Sequence, residues 1–197
     1  FRRPNGNDFT FVDGYYAYLI TPQNARHYNN KRPYTIFAYQ TAGQKRYAEE
    51  SLKVMHAQNI TPSTGFNLTY NTYHSRGIYN WQRGKVTDFS AAIYHTGKRY
   101  SIHAAYINNR IKQRENGGAV GIWAVTDTIY EHPSGVPMKL APAEAENSYR
   151  NSSFFVKQAL AIPLQPVTDY DFSLADLSAV YIGHIFEYNT WSKLYTD

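Results

Sequence analysis

The chain has 197 residues, a formal net charge of +5 and no cysteine, which excludes a disulfide framework, a thiolate metal site and a cysteine nucleophile. Charged residues make up only 18% and hydrophobic ones 43%, and 19 Tyr, 10 Phe and 3 Trp make the chain unusually aromatic. Side chains with one apolar and one wet end gather at membrane interfaces and at sugar- or protein-binding faces. No apolar run approaches the ~18 residues of a membrane helix, which excludes helical spanning but not spanning by strands.

Gly and Pro punctuate the chain, and β-branched and aromatic residues fill the segments between them. Strands are expected at residues 9–20, 34–41, 51–61, 65–75, 86–96, 99–108, 153–165 and 178–190, with one helical turn at 141–146. Phe66, Leu68 and Tyr70 alternate with Asn67, Thr69 and Asn71, and Phe154 and Val156 alternate with Ser153 and Lys157. Leu52 and Val54 share a face with His56 and Gln58, and residues 178–190 carry apolar side chains on both faces. With Gly97-Lys98 as a two-residue turn, Thr96 faces Arg99, Ile93 faces Ile102, Ala91 faces Ala104 and Phe89 faces Tyr106. One surface of this hairpin is apolar on both strands and the other is mixed-polar.

Connection lengths alternate along the chain. A tight turn at 62–64 precedes a long loop at 76–85. The two-residue turn at 97–98 precedes a very long loop at 110–152, and 166–177 is of medium length. In an up-and-down barrel every second connection emerges on the same side, so alternating lengths are the trace of short periplasmic turns and long extracellular loops. The basic clusters Lys45-Arg46, Lys98-Arg99 and Arg110 to Arg114 read as solvated turn and loop charges rather than a nucleic-acid groove.

Several segments, taken in order over residues 9 to 165, resemble the Bacteroidota putative-porin family of outer-membrane β-barrels. They are Phe11-Val12-Asp13-Gly14-Tyr15-Tyr16-Ala17-Tyr18, Arg32-Pro33-Tyr34-Thr35, His56-Ala57-Gln58-Asn59-Ile60, Gly65-Phe66-Asn67-Leu68-Thr69-Tyr70 and Ser75-Arg76-Gly77-Ile78-Tyr79-Asn80-Trp81-Gln82. Most distinctive is Arg114-Glu115-Asn116-Gly117-Gly118. The resemblance implies an all-β, antiparallel transmembrane β-barrel in the outer membrane of a Gram-negative bacterium. Members are longer, so the chain is expected to be a single barrel segment, incomplete at both ends, with about eight strands and an extracellular loop at 110–152. It implies no catalytic residue and no cofactor.

On the barrel reading Asn67, Thr69, Asn71, Ser90, Ser101, His103 and Lys157 are pore-lining candidates, and Phe66, Leu68, Phe89, Ile93, Ile102 and Tyr106 are lipid-facing ones. Arg114, Glu115 and Asn116 are candidates for a loop constriction, in a stretch whose two glycines first of all signal a turn. The seven histidines show neither HxH nor HExxH spacing. Glu49-Glu50, Glu144 and Glu146 have no visible partner for paired-carboxylate chemistry, and Asp169-Tyr170-Asp171 lacks a recognised calcium-loop spacing. Asp127-Thr128-Ile129 matches a glycosylation acceptor by a pattern that arises often by chance. The expected function is passive diffusion of small hydrophilic solutes, with the lipid bilayer, lipopolysaccharide and other outer-membrane proteins as partners and no nucleic acid, and the chain is not expected to be an enzyme. The rivals are a non-conducting barrel whose loops dock partner proteins, motivated by Trp123 and Tyr130, and a soluble glycan-binding β-sandwich.

Overall fold

The computed structural model describes residues 10–43, 48–126, 130, 132–140, 145–163 and 179–196. Seven strands form one antiparallel sheet in chain order: β1 Tyr34–Ala42, β2 Glu49–Thr61, β3 Thr64–Arg76, β4 Arg83–Thr96, β5 Tyr100–Glu115, β6 Ala145–Pro163 and β7 Ala179–Thr196. Among the described residues β1 and β7 are the two edges, and no second sheet packs on this one. The short connections after β1, β2, β3 and β4 can only join antiparallel neighbours, and β5–β6 and β6–β7 pair antiparallel across longer ones.

Period-two alternation gives the sheet two unlike faces. One is covered by the chain preceding β1, and the other is bare among the described residues. The covered face buries Asn67, Asn71, Asp88, Ser90, Asn109, Asn151 and Ser153 beside Met55, Ala92, Ala105 and Ile107. The bare face is built of register rows running across the strands. Phe66, Ile93, Ala104, Val156 and Phe186 lie on adjacent or diagonal positions of one such row, and Leu68, Ala91, Tyr106, Phe154 and Tyr188 form the next. Many of these are open to the surroundings, Phe37 of β1 at 74% and Ile93 at 48%.

Four sequence expectations are corrected. Residues 10–18 form a 3-10 helix, not a strand. Tyr15 and Tyr18 fall three residues apart, a spacing that suits a three-residue turn docked on a surface better than period two. In the β4–β5 hairpin Thr96 faces Ser101 and Ile93 faces Ala104, because Gly97 donates its N–H to Tyr100 and the turn residues are Lys98 and Arg99. That moves the register by two positions, which preserves parity, so every residue keeps its expected face. Arg110 to Arg114 lie inside β5 rather than in a loop, and β6 already begins at Ala145. The connection is therefore 116–144, and the one before it shortens to 77–82. Of the expected helical turn, Ala145 and Glu146 are strand, and 141–144 lie outside the described residues, as do Lys45, Arg46, Asp127 to Ile129 and the Asp169-Tyr170-Asp171 stretch.

The connections at one end of the sheet are 43–48, 77–82 and 116–144. At the other they are 62–63, 97–99 and 164–178. The loop 116–144 turns at Gly117 and Gly118, both at positive φ where glycine meets no Cβ penalty. It folds back through the Ala119–Met138 bridge and meets the 77–82 turn where Asn116 Nδ2 donates to the Asn80 carbonyl at 3.1 Å.

Candidate functional site

The chain preceding β1 lies along the covered face from the long-connection end to the short-turn end, and its attachments can be followed residue by residue. Near the start Tyr15 donates its hydroxyl to Gln113 Oε1 and packs its ring 5.8 Å from Tyr149. Burial, then Tyr149 and Glu115, push the Tyr15 hydroxyl pKa above its ordinary value, so it remains a donor. The Tyr18 ring meets the edge of Tyr73 at 5.6 Å. Leu19 is buried with Ile111 and Tyr149, and Tyr15, Tyr16, Val86 and Trp191 pack around them.

Midway, Asn109 clamps the backbone of Ile20. Its Oδ1 accepts the Ile20 N–H at 3.2 Å and its Nδ2 donates to the Ile20 carbonyl at 2.7 Å. A side-chain amide thus supplies the donor and acceptor that a neighbouring strand would. The chain then turns at 21–24, where Asn24 Oδ1 accepts from Thr21 N at 2.7 Å. His27 crosses the sheet edge-on to His103 at 4.9 Å and to Tyr94 at 6.4 Å. Burial, then the neighbouring His103, lower the His27 pKa. At the short-turn end Asn59 donates to Asn29 at 2.7 Å and accepts from Asn30 N at 3.2 Å and from the Tyr94 hydroxyl at 2.9 Å. Tyr94 reaches Asn59 because its register partner is Gly65, over which the ring lies.

The sheet side of this surface is a polar network. Asn109 Nδ2 also donates to Asn151 Oδ1 at 2.9 Å, Asn151 donates on to Asn189, and Ser153 donates to Asn189 at 2.9 Å. One amide therefore links the preceding chain to β6 and β7. Asp88, between Asn71 and Asn109 in register, is 1% exposed. Among the described residues neither of its carboxylate oxygens has a hydrogen-bond partner, and the same holds for the Oδ1 atoms of Asn67 and Asn71. Burying a carboxylate without donors costs several kcal/mol, so stability alone does not explain this residue. Beside Tyr15 and Tyr18 a cleft of about 360 Å³ opens, lined also by Gln40, Glu49, Tyr73 and Ser75.

The register puts Asn67, Thr69, Asn71, Ser90, Ser101, His103 and Lys157 all on the covered face, and Phe66, Leu68, Phe89, Ile93, Ile102 and Tyr106 all on the bare one. Arg114 and Glu115 end β5 and lie on opposite faces. Arg114 pairs with Glu146 at 3.4 Å, and Glu115 accepts from Asn147. Only Asn116 belongs to the loop. Glu146, which had no visible partner in sequence, also binds Lys112 at 2.6 Å. Sequence reasoning missed the cover itself, together with Asp88, Asn109 and Asn151. Alternation around Ser90 could have found Asp88, the one acid inside β4, whereas nothing local marks the Asn109 clamp.

Comparison with known proteins adds one finding. A family model described as a putative porin matches residues 1–197, the whole chain. No curated protein and no solved structure matches it.

Proposed function

The chain belongs to the putative porin family, and from that premise we propose that it forms part of an outer-membrane β-barrel whose covered face lines a lumen for passive diffusion of small hydrophilic solutes. The observation that carries this reading is the inverted polarity of the sheet. Leaving a Leu, Ile or Phe in water instead of burying it forfeits ~1.5–3 kcal/mol. A handful of such residues would outweigh the ~5–15 kcal/mol that holds a domain together. The bare face presents Phe37, Leu68, Ile93, Tyr106 and Phe154, among others, with no protein over them among the described residues. Hydrocarbon is the surrounding in which that arrangement is stable, and Asn, Ser and Asp then belong on the side that holds water.

On this reading residues 14–30 lie in the lumen and narrow it, with the cleft beside Tyr15 and Tyr18 left as an opening of solute size. The chain works by exclusion and weak polar contact, without a catalytic step. The full-length protein reconstituted in planar bilayers is expected to conduct, and its unheated form to migrate faster on gels than its heated form. Release from membranes by high salt alone would overturn the barrel.

A second reading rests on the loop 116–144, where Ile122 is 83% exposed and Trp123 and Val125 lie open beside it. A barrel that docks other outer-membrane proteins through this loop needs no pore. A folded, inserted protein without conductance would favour it.

A further inference from the structure

The bare face is not apolar over its full height. At the long-connection end the register brings like charges directly opposite one another on that face. Arg76 faces Arg83, which faces Arg114, and Glu146 ends that row. In the next row Glu50 and His74 precede Lys85, which faces Lys112. In the third, Arg110 faces Arg150. Like charges at opposed sheet positions are destabilising, yet four such pairs occur here in three successive rows. Glu146 holds Lys112 and Arg114, while Arg76, Arg83, Lys85, Arg110 and Arg150 make no ion pair among the described residues. Among the described residues Glu50 and Glu146 are too few to neutralise this face, which leaves it a site for an anionic counterpart.

The order along the strands identifies its chemistry. In the third row the Thr72 and Thr87 hydroxyls, 3.4 Å apart, lie level with Arg110 and Arg150, and one row below them Asn108 Nδ2 donates to Ser152 Oγ at 2.7 Å. Below that lie the apolar rows of Leu68, Ala91, Tyr106 and Phe154. From Tyr106 to Arg110 is four residues of strand, roughly 13 Å. Apolar rows, then hydroxyls and amides, then cations mirror a lipid's acyl chains, polar backbone and phosphate. Most of the cations are Arg, whose planar fork fits phosphate oxygens two at a time.

We infer that this belt binds the phosphate groups of anionic membrane lipids in the leaflet at the long-connection end. The inference rests on the barrel reading, since it needs the bare face to meet lipid. Three cations cluster without a carboxylate between them, Arg110, Arg150 and Lys85, and they form its centre. Each bound phosphate relieves the repulsion between the strands that share it, so lipid binding also strengthens the β3–β6 pairing.

The test uses the full-length protein reconstituted into phosphatidylcholine nanodiscs that contain either phosphorylated lipid A or its dephosphorylated form. Retained glycolipid is measured by mass spectrometry after detergent exchange. The wild type is expected to hold the phosphorylated form and not the other. The combined variant Lys85→Gln, Arg110→Gln and Arg150→Gln is expected to hold it on the order of a hundredfold less tightly. Lys53→Gln with Lys157→Gln, both on the covered face, is expected to match the wild type. Heat-modifiable migration of every sample is read in parallel. Equal retention by the inserted belt variant, equal retention of the dephosphorylated lipid, or neutralisation of the belt by a soluble acidic protein in preference to lipid would overturn the inference. Failure of the wild type to insert would instead overturn the barrel reading.

Discussion

Leu68 and Thr69 are neighbours in one strand and live in opposite solvents. Leu68 stands on the bare face among Phe66, Tyr70 and Ala91, 43% exposed with none of the described residues over it. Thr69 points under the preceding chain, in line with Asn67, Asn71 and Ser90. The comparison teaches that hydrophobicity in this protein does not report burial. The covered face buries Asn, Ser and Asp among its apolar residues, while the bare face leaves Leu, Ile and Phe open.

The largest expected effect separates these two residues. Leu68→Arg should cost roughly 2–4 kcal/mol of folding into vesicles, measured by urea titration and by loss of the fast-migrating band. Thr69→Arg should leave insertion intact and change conductance instead. Equal losses for both would dissolve the distinction between the faces.

Gly65→Ala probes the covered face from within. The added Cβ would stand 2.7 Å from Asn59 Oδ1 and from the Tyr94 ring, so the ring must move. Overpacking of that kind costs about 1–3 kcal/mol, seen as a lower urea midpoint. Gly84, where a Cβ would meet nothing within 4 Å, serves as the matched control.

Asn109→Ala tests whether the cover is held by its clamp. It removes both bonds to the Ile20 backbone and the donor to Asn151 Oδ1, a loss of about 1–3 kcal/mol borne mainly by the attachment of the preceding chain. Faster proteolysis within residues 14–30 and higher conductance are expected, with the barrel's own unfolding little changed. Unaltered proteolysis would show that the aromatic contacts of Tyr15 and Tyr18 suffice.

Acidification should give the smallest effect. His27 has a lowered pKa when docked, so the released chain takes up its proton first as the pH falls through ~6.5. Docking strength is therefore full above that pH, weakens as the pH falls towards the lowered value, and then levels off. Facing His27 are His103 and Tyr94, and Lys157 opposes His103 in register, so among the described residues no carboxylate offsets the new charge. Proteolytic release at pH 5 that is abolished by His27→Gln is the expected result. Release that persists in that variant would assign the pH response elsewhere.

Much of this was legible in the sequence. Strand positions from residue 34 onward followed from period-two alternation broken by Gly and Pro, and the sheet lengthened them without moving them. The faces of Asn67, Ser90, Leu68 and Ile93 were also legible, because parity survives a register error of two, as the β4–β5 turn shows. The sides of β7 were not, since both of its faces are apolar in sequence. Only pairing with β6 decided them, placing Phe186 beside Phe154 and Trp191 beside Leu19.

What the sequence by itself determined is therefore the alternation and its breaks, which are local and depend on backbone geometry alone. The tertiary structure decided everything that joins distant positions. It laid the residues before β1 across the polar face, because Asn109 could satisfy Ile20 there. It set Asp88 beneath them. It also turned Arg110 and Arg114 from apparent loop charges into part of a cationic belt, because neighbouring strands carry like charges at the same height. Such features are sums over several strands, and no window along one strand contains them.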